Sequence, residues 1–102
     1  MMITLNVGGV YHYTSAHTLL NSGSRYFEKI AKSNSTDEVF IDRDGGVFNI
    51  ILNYMRQRKL ILDLHVTSSF LEFLQEEAKF YKMINLSHAI DEHVKCTEPE
   101  CI

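Results

Sequence analysis

The chain is short of cysteine, of clustered positive charge and of long apolar runs. Its two cysteines both fall in the last seven of 102 residues, a poor framework for disulfides. No apolar stretch approaches the ~20 residues that a helix needs to span a bilayer, and no signal peptide is visible. The densest basic segment is Arg56-Gln57-Arg58-Lys59 and the net charge is −3. The long-range field therefore favours neither nucleic acid nor an anionic membrane. These absences lead to the expectation of a soluble cytoplasmic protein with reduced thiols, no nucleic-acid partner and no direct membrane insertion. What is present is a globular composition, 45% hydrophobic and 23% charged, in a length that suits one domain with a modest core.

Chemical constellations are also missing. There is no nucleophile with a base and an orienting group, no plausible acid pair and no metal motif, so no catalytic, cofactor-binding or metal residue is assigned. Near the C-terminus His88, His93, Cys96 and Cys101 are of types that suit zinc. Five positions separate the two histidines, which takes them off a common helix face. A loose polar tail is the competing reading. Cys101 is second from the end, so it makes no prenylation signal.

The organising stretch runs from Phe40 to Arg56. Val39, Phe40 and Ile41 favour a strand, and Asp42-Arg43-Asp44 stops it. Asp44 is placed to cap a helix by accepting from its free N–H groups. Phe48, Ile51, Leu52 and Met55 then share one helical face, with Ile50 and Tyr54 on the other side. A helix apolar on two sides is a central helix.

Upstream, Ile3, Leu5 and Val7 alternate with Thr4 and Asn6 as a half-buried strand should. Gly8-Gly9 reads as a two-residue hairpin turn, because both of its central positions need φ > 0. A phosphate loop would need a following Lys-Ser/Thr, and none follows. The turn predicts the register Val7 to Val10, Leu5 to His12 and Ile3 to Thr14. His12 then lies on the apolar side as a neutral, hydrogen-bonded imidazole, with Tyr11 and Tyr13 outward. Thr14 or Ser15 caps a short helix with Ala16, Leu19 and Leu20, and a second helix carries Phe27, Ile30 and Ala31. Asn34-Ser35-Thr36 matches a glycosylation sequon and is read as a loop.

Downstream, Leu60-Ile61-Leu62 is a short strand or an extended link. Thr67-Ser68-Ser69 offers caps, and Ser69 with Glu72 has capping-box spacing. Leu74, Ala78 and Tyr81 continue one apolar side from Phe70. Glu77 falls inside that arc, where a carboxylate is costly unless paired. It either reaches water at the helix edge or meets a partner such as Arg43, Arg56 or a neighbouring subunit. A final helix is expected over roughly Leu86 to Val94, giving a domain over 1–94 and a polar tail over 95–102.

Three blocks, in order, resemble a BTB/POZ domain of the potassium-channel tetramerisation type, the family of voltage-gated channel assembly domains and KCTD adaptors. They are Leu5-Asn6-Val7-Gly8-Gly9 with Thr14 and Thr18-Leu19; Ile41-Asp42-Arg43-Asp44-Gly45 with Phe48, Ile51-Leu52, Tyr54 and Arg56; and Glu77-Ala78-x-Phe80-Tyr81. The sequence departs from the family at three places. His12 replaces a hydrophobic residue, Gly23 a usual proline, and Arg58 an expected glycine. The resemblance implies an α+β BTB/POZ fold, a small three-stranded sheet flanked by a cluster of about five helices.

It also implies a non-enzymatic module that forms homo-tetrameric or homo-pentameric rings through polar side-to-side contacts. Some channel domains of the family bind zinc between subunits, but no adjacent Cys-Cys pair occurs here, so that site is expected to be absent. In a ring the contact is heterologous, and a loop bearing both charge signs can set its register. Asn6, Asp42, Arg43, Asp44, Arg56 and Glu77 are the expected interface residues. Asp44 has the helix cap as its alternative role, and Arg43 a solvated loop position. Two other functions follow from the resemblance. One is recruitment of a cullin-3 ubiquitin ligase, for which the chain leaves no room for a second, substrate-holding domain. The other is assembly of a voltage-gated potassium channel, for which it carries no membrane segments.

Overall fold

The structure is a computed structural model that describes residues 2–33, 38–62 and 65–97, with the side chains of 95–97 excluded. Its elements are β1 (Met2–Val7), β2 (Val10–Ser15), α1 (Ala16–Leu20), α2 (Arg25–Lys32), β3 (Val39–Ile41), α3 (Gly45–Gln57), α4 (Ser68–Phe80) and α5 (Ile84–Thr97). The described strands form one sheet in the order β2-β1-β3. β1 pairs antiparallel with β2 and parallel with β3. The sheet and five helices make the α+β BTB fold that the resemblance implies.

The hairpin has the register that its two-glycine turn predicts, with Val7 opposite Val10 and Leu5 opposite His12. Ile3, Leu5 and Val7 turn inward onto α3, where Phe48, Ile51, Leu52 and Met55 are buried. His12 is half-buried. Its Nε2 is 2.9 Å from the carbonyl oxygen of Gly45, and its ring meets Phe48 edge-on at 5.0 Å. The position that the family fills with a hydrophobic residue thus holds a ring that both packs and hydrogen-bonds.

Side-chain oxygens cap four helices. Ser15, Ser24, Asp44 and Thr67 each accept from a backbone N–H in the first turn, satisfying donors that have no partner within the helix. Ser24 does more. Fully buried, its hydroxyl also donates to the carbonyl of Tyr81 at 2.5 Å, tying the start of α2 to the end of α4. The Ser69–Glu72 capping box does not form. α4 takes Thr67 as its cap, two residues before Ser69, and buries Leu71, Leu74, Glu77 and Ala78.

The link from Leu60 to Leu62 is not a strand. The final helix is longer than expected at both ends. A tight closure of α4 brings Met83 into place to accept from Ser87 N–H at 3.0 Å, so α5 is under way by Ile84. It continues to Thr97, past the boundary drawn at 94. The sequon at 34–36 and the tail beyond Thr97 lie outside the described residues.

Two non-glycine residues have left-handed backbones, Arg58 at φ 59° and Lys82 at φ 56°. Arg58 ends α3, its N–H donating to Tyr54 at 2.7 Å, and it stands where the family expects glycine. An L-residue costs roughly 1–2 kcal/mol in this region. At Gly23 φ is 77°, a value closed to the proline that the family usually has there.

Tyr81 sits at the centre of the aromatic core. Its ring stacks on Phe27 at 5.1 Å and meets Phe48 at 5.3 Å. Its hydroxyl is buried and has no hydrogen-bond partner among the described residues. Burial, then the nearby Glu77 carboxylate, push its ionisation far above the ordinary 10.0. A raised folded pKa gives stability that is complete below the unfolded value and is lost as pH rises through the folded one. Stability should therefore fall from about pH 10 upward. Tyr81→Phe should flatten that fall and cost little at neutral pH, because no hydrogen bond is lost. Urea midpoints measured across this pH range at fixed chain concentration check both, and an equally steep alkaline loss in the variant would contradict the assignment.

Candidate interaction site

The site is built where the β1–β2 turn meets the loop between β3 and α3. Gly8 N–H donates to Ile41 carbonyl oxygen at 2.9 Å, and Gly8 has φ 59°. A Cβ at Gly8 would collide with the Arg43 carbonyl oxygen. One at Gly45 would strike the Val7 carbonyl and lie 2.5 Å from Val10 Cβ. Two stretches of backbone therefore touch directly, and only glycine fits at both points. This close approach holds the Asp-Arg-Asp loop rigidly at one end of the sheet.

The six expected interface residues have distinct places. Arg43 and Glu77 come together: Arg43 Nη2 donates to Glu77 Oε2, and its guanidinium lies 4.4 Å over the Phe80 ring. Glu77 is 1% exposed and Arg43 about a third, so the pair is a buried carboxylate reached by a cation from the surface. Of the outcomes open for Glu77, the partner within the chain is the one observed. The bond to Glu77 also makes Arg43 hold its proton more firmly than usual. Asp44 is a helix cap, its Oδ1 accepting from Gly46 and Val47 at 2.9 and 3.0 Å, and it remains exposed.

Asn6 closes the hairpin by accepting from Gly9 N–H at 2.8 Å and donates to Glu38 at 3.1 Å. Asp42 is exposed, without a bond to any described residue. Arg56 reaches from the other end of α3 to the Tyr13 carbonyl at 2.5 Å. Asn6, Asp42, Arg43 and Asp44 are thus gathered at the turn end, with Glu77 behind them. Arg56 is apart.

Glu38 and Phe40 beside the site escape sequence reasoning, as does their alignment with Tyr11 and Tyr13. Glu38 meets Asn6 only because β3 lies parallel beside β1, with Asn6 opposite Phe40. Tyr11 and Phe40, 50% and 61% exposed, flank Asn6 on the outer face of the sheet, and Tyr13 stands beside Thr4. The outward direction of Tyr11 and Tyr13 is legible from strand alternation, but their alignment with Phe40 requires the strand order.

Among the described residues no three His, Cys, Asp or Glu side chains are grouped to hold a metal ion. His88 is exposed and His93 half-buried, while the Cys96 side chain and Cys101 lie outside the described residues. No helix among the described residues is long and apolar enough to cross a membrane.

A small sheet with a rigid polar loop, a capped central helix and exposed aromatics beside them defines a class, the protein-interaction domain. The chain belongs to the BTB/POZ domain family, whose potassium-channel tetramerisation type matches residues 3–90. The family's members are interaction and oligomerisation domains. The chain is similar to BTB/POZ domain-containing protein KCTD21 of human and mouse, 40% identical over 96 residues, which cover 88% of this chain and 36% of the relative. It is also similar to human BTB/POZ domain-containing protein KCTD5, 28% identical over 101 residues, 91% of this chain and 42% of the relative. The chain thus spans well under half the length of these relatives.

The Arg43–Glu77 pair makes an asymmetric prediction. Removing the cation strands a buried carboxylate, whereas Glu77→Gln leaves a neutral amide beside a guanidinium that can turn to water. Arg43→Ala should cost about 3 kcal/mol and Glu77→Gln about 1 kcal/mol. Urea unfolding at matched chain concentration measures both, and the reverse order would mean that Glu77 does not depend on Arg43.

Proposed function

We propose that this chain is a homo-oligomerisation module whose copies close into a ring of four or five, without enzymatic activity and without a bound cofactor. The observation that carries the reading is the family match over 3–90 together with the turn end, where Asp42 and Asp44 are exposed and Asn6 keeps one amide N–H beyond its bonds to Gly9 and Glu38. Arg43 gives one donor to Glu77, and a guanidinium has five N–H groups, so it retains donors for a second carboxylate. Glu77 acts through Arg43, and Arg56 contributes from the far end of α3. Tyr11, Tyr13 and Phe40 supply apolar area beside these polar groups, the mixture that non-obligate interfaces use.

Arg43 is a poor place to test the ring, since changing it also exposes Glu77 to an unpaired burial. Asp42 is the better choice. The parent chain should have four or five times the 11.8 kDa protomer mass in native mass spectrometry. Asp42→Lys should shift it to smaller species without lowering the helix content, and raised salt should act in the same direction. A parent that stays at one protomer mass at high concentration and low salt overturns the proposal.

A second reading is favoured by the named relatives, which are KCTD proteins. In it the ring serves as an adaptor in the cytoplasm that recruits a cullin-3 ubiquitin ligase, as the resemblance to KCTD adaptors implies. Pull-down with the amino-terminal region of cullin-3 should retain the parent chain, and absence of binding would leave assembly alone. Assembly of a potassium channel is less favoured on the same ground.

A further inference from the structure

Away from the turn end, the junction of α4 with α5 and the start of α2 enclose a groove of about 480 Å³. Its floor is apolar, formed by Ala78, Met83 and Ile84, and Ile84 is 68% exposed. Its rim carries Arg25, Lys79, Lys82 and His88, and no carboxylate among the described residues lines it. That is unusual for a chain with 13 acidic and 10 basic residues. Among the described residues Arg25 and Lys82 have no acidic partner, and Lys79 reaches only Glu76, loosely, at 3.8 Å between exposed side chains.

The backbone at Lys82 adds a separate observation. Lys82 N–H donates to Lys79 carbonyl at 3.1 Å and Met83 N–H to Ala78 carbonyl at 2.9 Å, the paired bonds of a Schellman closure. Such a closure places one residue in the left-handed region and prefers glycine there. Here it is a lysine at φ 56°, with its ammonium on the rim of the groove. The lysine is held there at a cost in backbone energy that glycine would not carry.

We propose that this groove docks a short acidic segment of a partner protein, with one or two apolar side chains seated on Met83 and Ile84 and flanking carboxylates paired to Lys82, Lys79 and Arg25. The exposed Ile84 and the apolar floor provide the anchor that a recognition groove uses, and the unopposed cations select the sign of the ligand. The site stands apart from the turn end, on the side of the molecule formed by α4, α5 and the start of α2.

Lys82→Gly supplies a test that misfolding does not confound, because glycine relieves the strain while removing the charge. The full chain is titrated by fluorescence anisotropy against a labelled synthetic peptide of glutamates with leucines at every third or fourth position. A counterpart with lysine for each glutamate serves as the sign control. The acidic peptide should bind and the basic one should not. Lys82→Gly should weaken binding about fivefold, the size of one exposed charge pair, with a thermal midpoint at or above that of the parent. Ile84→Ser should weaken binding through the anchor. Arg58→Gly is the matched control, losing the same charge and relieving the same backbone strain outside the groove, and should leave binding unchanged. The proposal is overturned if neither peptide binds, if both bind alike, or if Lys82→Gly and Arg58→Gly have the same effect.

Discussion

Backbone meets backbone where the β1–β2 turn rests on the loop before α3, and the rest of the molecule is arranged from that contact. With no side chain between them, Gly8 and Gly45 let the hairpin, β3 and α3 share one corner. The hairpin carries Leu5 and Val7 onto α3, and the loop directs Arg43 toward α4. The larger side of the core then follows, with Tyr81, Phe27 and Phe48 in mutual ring contact. In a small domain the core alone is modest, so a rigid corner of this kind has a large share in giving one arrangement.

The polar groups are divided between holding the protein together and remaining available. Ser24 and Glu77, both buried, are spent inside: one joins α2 to α4, the other anchors Arg43. Asp42, Asp44 and the edge of Arg43 face outward on a frame held by direct backbone contact. Pre-ordering matters for recognition because a loop already in its bound shape loses less entropy when it associates. The same economy appears at the junction of α4 and α5, where the closure that ends one helix also presents Lys82.

Local features were legible where a few neighbouring residues determine them. Alternation of Ile3, Leu5 and Val7 with polar residues defined β1, the glycine pair defined the turn and its register, and Asp44 followed by the Phe48 to Met55 pattern defined α3. The cap of α4 was less clear, because Thr67, Ser68 and Ser69 are chemically similar candidates. Thr67 is the one whose side-chain oxygen accepts from the helix, at Phe70 N–H. Leu60 to Leu62 had the composition of a strand but does not join the sheet, and is a link.

By itself the chain's order of residues determined most of the elements, the Asp44 cap, the hairpin register and the family to which it belongs, because these depend on spacing over a few positions. Tertiary structure decided which distant groups meet. Glu77 found Arg43 rather than Arg56 or water, Asn6 found Glu38, and Gly45 came within contact of Val7. The Asn6–Glu38 and Gly45–Val7 meetings depend on β3 lying parallel beside β1, and the Glu77–Arg43 pair on α4 packing near the loop that follows β3. Strand order and helix placement are set by the burial of the whole core, a sum over contacts far apart in the chain that no local pattern contains.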